Sequence, residues 1–161
     1  MNRNQILQIL ANSTNTELAN WAKSALNNDL CWVDLATQFN SLSQPARITG
    51  LSLLFSTNDP EVCRNAAVLA IGDDWPVLLA QFSLNNLSPA SLMSIARFAT
   101  SDAPRIAILS NPNFPVDVRR AAVIQTINKS SILLYVQNDP YLSQFLKIPA
   151  MNTDLIKNVM R

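Results

Sequence analysis

Five helix starts in this chain carry a proline just behind a residue able to cap a helix: Ser43-Gln44-Pro45, Asn58-Asp59-Pro60, Ser88-Pro89, Asn113-Phe114-Pro115 and Asn138-Asp139-Pro140. Proline suits the first helical position because its missing N–H has no intrahelical partner there. A Ser, Asn or Asp oxygen satisfies a neighbouring orphan donor. Pro60, Pro89, Pro115 and Pro140 follow one another at nearly even spacing. A period of this size points to stacked repeats, in which each helix pair buries its apolar face only against its neighbours.

Between the breaks the spacing is helical. Leu18, Trp21, Ala22, Ala25 and Leu26 follow one helix face. The chain has only two glycines, Gly50 and Gly72, so hairpin turns have little to be built from. The segment Pro60-Glu-Val-Cys-Arg64-Asn-Ala66-Ala67-Val68 matches Pro115-Val-Asp-Val-Arg119-Arg-Ala121-Ala122-Val123 at a constant offset, two periods further along. Its Ala-Ala pair lets a neighbouring helix approach closely. The expected fold is all-α, a single helical-repeat domain over residues 1–161 of about five to six stacked helix pairs. The clearest repeats are 58–125, with terminal capping helices about 1–42 and 147–161. Helices are predicted near 4–11, 15–27, 30–40, 45–56, 59–71, 75–84, 89–100, 103–110, 115–127, 130–137, 140–147 and 152–160.

The stretch from Asn58 through Val62-Cys-Arg64-Asn-Ala66-Ala67 to Gly72-Asp73, continuing into Trp75-Pro76-Val-Leu78-Leu79, resembles a HEAT repeat of the short phycobilisome-lyase type. A second stretch, Arg105 to Ala121 with Asn111-Pro112-Asn113-Phe114-Pro115 at its turn, is similar to the leucine-rich repeat variant. Both resemblances imply a right-handed α-solenoid (HEAT-like or LRV-like) and a protein-binding scaffold with varied partners.

Charge is weak. Twelve basic and eleven acidic residues leave +1, and the excess of cations lies in the second half. A phosphate backbone calls for clustered Lys and Arg, so nucleic acid is not the expected partner. Eighteen asparagines supply much of the polar surface, which favours recognition by shape and apolar contact over long-range steering. Cys31 and Cys63 stand beside apolar residues and read as free, buried thiols. The start of the chain lacks the pattern of a signal peptide and no run of apolar residues is long enough to span a membrane. A reducing, cytoplasmic setting is expected.

No histidine is present. That removes the commonest general base and metal ligand, together with every Ser-His or Cys-His pair. Two glycines as far apart as Gly50 and Gly72 cannot make a phosphate loop. The reading is non-enzymatic, with no cofactor and no metal.

Four groups remain as candidates. Asp73, Asp74 and Trp75 could form a carboxylate–indole pocket of the kind used by HEAT-like alkyl-base DNA glycosylases; alternatively Asp74 caps the helix at Trp75-Pro76. Among the arginines, Arg64 and Arg119 occupy matching positions and are expected to pair with a carboxylate of a neighbouring repeat. Arg105 and Arg120 are candidates for partner contact, with no acid spaced to pair with them on one face. Phe114 and Tyr141 sit beside helix-start prolines and are candidate contact residues. The last predicted helix carries Leu155, Ile156 and Val159 on an apolar stripe, which would dock on a partner, on a second copy or on the preceding helix pair. The expected function is a protein–protein interaction scaffold or adaptor. The alternatives are a DNA-acting glycosylase relative and a chromophore lyase or chaperone.

Overall fold

A computed structural model describes residues 3–146, which are helical with no strand among them. Eleven α-helices run through these residues: α1 (Arg3–Ala11), α2 (Thr16–Leu26), α3 (Trp32–Asn40), α4 (Gln44–Ser56), α5 (Pro60–Leu69), α6 (Trp75–Gln81), α7 (Pro89–Phe98), α8 (Ala103–Leu109), α9 (Val116–Gln125), α10 (Leu133–Val136) and α11 (Pro140–Leu146). Short 3-10 turns cover Gly72–Asp74, Leu84–Asn86 and Lys129–Ile132. The helix expected near 152–160 lies outside the described residues.

Most helix starts follow the predicted chemistry. Ser43 Oγ accepts from the Ala46 N–H, Asp59 Oδ1 from Glu61 and Val62, Ser88 Oγ from Ser91, and Asp139 Oδ1 from Tyr141 and Leu142. The Asn113-Phe114-Pro115 start differs. Pro115 itself takes the cap position with no side-chain cap, while Asn111 Oδ1 accepts from the Asn113 N–H inside the turn.

The helices fall into two rows. Helices α3, α5, α7, α9 and α11 pack each on the next, and α2, α4, α6, α8 and α10 do the same. Pairs such as α4 with α5, α8 with α9 and α10 with α11 join the rows, and α1 lies against α2 and α4. Small residues permit the close contacts of the first row: Ala66, Ala67, Ala96 and Ala122 are all fully buried. In the second row Phe55 of α4 meets the rings of Trp75 and Phe82, with centroids 5.7 and 6.0 Å away. Gly50 lets α1, α2 and α3 crowd onto α4. A Cβ there would come within 3.1 Å of the Phe39 ring and 3.3 Å of both Leu10 and Leu18.

Polar links repeat with the same period as the prolines. Glu17 accepts from the Ser43 N–H at 2.8 Å, 26 residues on. Arg47 Nε donates to Asp74 Oδ2 at 2.8 Å across 27 residues, and Asn85 Oδ1 accepts from Asn111 Nδ2 across 26. Asp102 accepts from the N–H groups of Ile127 and Asn128 at 2.8 and 2.9 Å, 25 and 26 residues away. Asn58 has φ 52°, a left-handed conformation that a short amide tolerates, and its Oδ1 takes the Ser88 N–H 30 residues later. Each link joins segments 25 to 30 residues apart along the chain.

Candidate functional site

The fate of the cations decides which surface can meet a partner. An α-helix leaves its last carbonyls without intrahelical donors. In this protein long basic side chains fill several of those places and take further carbonyls in the turns just beyond. Arg3 Nη1 donates to the carbonyls of Asn28 and Leu30 beyond α2, at 2.9 and 2.7 Å. Arg47 Nη1 donates to the Leu42 carbonyl after α3, and Arg119 Nη2 to the Leu109 carbonyl ending α8. Lys129 Nζ reaches the carbonyls of Val123, Ile124 and Thr126 at the end of α9, and burial pushes its ammonium below the ordinary lysine range.

Arg105 is the most complete case, and it corrects the sequence-based expectation. It is 3% exposed and therefore no contact residue. Its guanidinium donates to the carbonyls of Ala96, Ala99 and Ser101 and to Asp102 Oδ1. Burial lowers its pKa, with the Asp102 hydrogen bond acting in the opposite direction. Asp102, three residues upstream, is the acid that the sequence pattern did not assign to it. Asp117 stands in the same relation to Arg120, with 3.8 Å between Oδ1 and Nη2. An i, i+3 search around each arginine finds both.

Arg119 pairs with Asp139, which caps α11, at 3.6 Å. Arg64, its counterpart in the earlier matching segment, does something else. Its guanidinium lies 4.5 Å above the centre of the Phe98 ring on α7.

The Asp73-Asp74-Trp75 run does not form an open pocket. Asp74 and Trp75 are both fully buried. The Asp74 carboxylate receives Arg47 Nε and Nη2 at 2.8 and 2.9 Å and Gln44 Nε2 at 3.3 Å. This hydrogen bonding raises the Arg47 pKa. Asp74 makes no side-chain cap to α6, so its expected role as a cap is replaced by an ion pair with α4. Trp75 Nε1 is buried with no hydrogen-bond partner. Asp73 is exposed. Cys31 also departs from expectation: it is exposed and its thiol donates to Asp34 Oδ2 at 3.2 Å, whereas Cys63 is buried.

Two of the remaining candidates line grooves on different rows. Phe114 is half-buried beside Leu84, Asn85, Ser110 and Asn111 in a groove of about 410 Å³ between the ends of α6 and α8. Arg120 lines a groove of about 250 Å³ between α7 and α9, with Met93, Arg97, Ala121 and Ile124. Tyr141 is 40% exposed on α11 and meets Phe145 edge-on at 5.3 Å. Phe145 in turn lies 6.0 Å from the Arg120 guanidinium. Leu155, Ile156 and Val159 lie outside the described residues.

The outward arginines thus share one row: Arg64 on α5, Arg97 on α7 and Arg120 on α9. Phe98 and Phe145 do not stand out in the sequence. The alternation of arginine and aromatic side chains emerges only when helices distant along the chain lie side by side. Among the described residues no three His, Cys, Asp or Glu side chains cluster. No helix there is long and apolar enough to cross a membrane. The chain matches no protein-family model, no curated protein and no solved structure.

Proposed function

We propose that this chain is a non-enzymatic protein–protein interaction module, a small right-handed α-solenoid of the HEAT-like or LRV-like kind that serves as scaffold or adaptor in a cytoplasmic assembly. The observation that carries the reading is the division of labour among the cations. Arg105, Arg119 and Lys129 close helix ends and Arg3 and Arg47 hold the turns that follow α2 and α3, while Arg64, Arg97 and Arg120 face outward from consecutive helices of one row. Two rows of helices joined mainly to their neighbours offer a broad surface for their mass, the usual basis of binding in repeat proteins. The DNA-glycosylase alternative loses its pocket, because Asp74 and Trp75 are closed off by α4.

The test is a tagged pull-down from the native cell, run with and without nuclease and read by mass spectrometry. A stoichiometric protein partner that survives nuclease is the expected result. Partners lost on nuclease treatment would overturn the reading in favour of nucleic acid. No stoichiometric partner under either condition would leave no interaction module to defend.

A further inference from the structure

The outer face of α5, α7 and α9 carries three arginines and two acids, one of which, Asp117, stands 3.8 Å from Arg120. Its acids, Glu61 and Asp117, occupy the first turns of α5 and α9. Its arginines stand further along, with Arg97 in the last turn of α7. Arg64 and Arg97 flank the same Phe98 ring at 4.5 and 5.6 Å from its centre. Arg97 and Arg120 then line the two sides of the α7–α9 groove, whose apolar lining is Met93, Ala121 and Ile124. Val68 and Ile124, each four residues beyond an arginine of the row, are 41% and 39% exposed. Three guanidiniums therefore follow one another across three helices, beside a shallow apolar floor.

We propose that this face binds an acidic amphipathic peptide segment of a partner protein, its carboxylates held by Arg64, Arg97 and Arg120 and an apolar side chain seated between α7 and α9. The proposal rests on the interaction-module reading and adds the chemistry of the partner. Guanidinium forks match carboxylates bidentately, and a ring beneath the guanidinium holds its orientation before a ligand arrives. A floor of Met, Ala and Ile takes an aliphatic side chain. A polynucleotide fits less well. Phe98 and Phe145 are half-buried with guanidiniums over or beside them, so their faces are not offered to bases.

The test is a displayed library of random peptides panned against the intact chain, with the enriched peptides titrated by fluorescence anisotropy. The expected consensus combines Asp or Glu with an aliphatic residue one helical turn away. Affinity should fall by about tenfold or more in R97E and R120E, the range of an interface hot spot. It should be retained in K23E on α2, in the other row. Circular dichroism of each variant checks that it is folded. R97K and R120K should recover part of the binding and so separate lost charge from lost packing. Enrichment without an acidic bias, affinity unmoved by the reversals, no enrichment at all, or tighter binding of duplex DNA than of peptide would each overturn the acidic-peptide site. The first two leave the interaction module standing with another face as its site, which the pull-down reads separately.

Discussion

Asp74 is the buried anion on which the turn into α6 depends. Its carboxylate is fully buried, the Arg47 side chain is only 13% exposed, and three donors from α4 converge on it. Removing one partner of such a pair strands the other charge without compensation, at a cost of about 3–5 kcal/mol. Asp74→Ala is therefore expected to lower the urea midpoint substantially, while Asp73→Ala, at an exposed position, should leave it nearly unchanged. The two thiols give a second residue-scale prediction. Cys63 is buried and desolvation raises its pKa, which keeps it protonated and shielded; Cys31 is exposed. A chromogenic thiol reagent should titrate one thiol per native chain and two after unfolding, with Cys31→Ser abolishing the native signal. The burial of Cys63 was legible in the sequence, whereas the exposure of Cys31 and the ion pair of Asp74 were not. A cap and a buried ion pair look the same within a short window, and Arg47 lies 27 residues from Asp74. Arg105 escaped the sequence for a different reason: its carbonyl partners belong to the end of α7, and no side-chain pattern marks carbonyls in need of a donor.

At the scale of helices the sequence was more informative, because the signals that start a helix are local. Ser43, Asp59, Ser88 and Asp139 each cap within three residues of their own position, and those helix starts match the expected ones to within a residue or two. What joins the elements is less visible. Glu17 in the first turn of α2 accepts both the hydroxyl and the backbone N–H of Ser43 and so fixes the start of α4 against α2. The Ser43 hydroxyl, then its N–H, holds the Glu17 carboxylate below its ordinary pKa. A group whose folded pKa is depressed contributes stability that is fully present above the unfolded value. That contribution disappears as pH falls through the folded value. Unfolding titrations over roughly pH 3 to 6 should show stability falling toward acid, and Glu17→Gln should flatten part of that slope. An identical acid slope in the variant would mean that the link contributes nothing. Ser43→Ala should flatten the same segment and additionally weaken the start of α4 by about 1 kcal/mol through the lost cap.

Across the described residues, the two rows of helices make contact mainly between neighbours, and a series of polar links from Glu17 to Asn128 joins residues 25 to 30 apart. In such an arrangement stability is approximately a sum of unit and nearest-neighbour contributions, so a defect at one end need not be felt at the other. Leu142 on α11 offers a clean place to introduce one. It is fully buried, and α11 packs on α9 and α10. Leu142→Ala removes methyl groups from a packed site at a cost of about 2–5 kcal/mol. Native-state hydrogen exchange should then show faster exchange through α10 and α11, and more weakly in α9, with the slow amides of α4 and α5 unchanged. A globular core in which every helix depended on every other would instead accelerate all the slow amides together, by the same free energy as the loss in global stability. That second outcome would remove the proposed solenoid, since a period in sequence matters physically only if the units it marks are also the units that open.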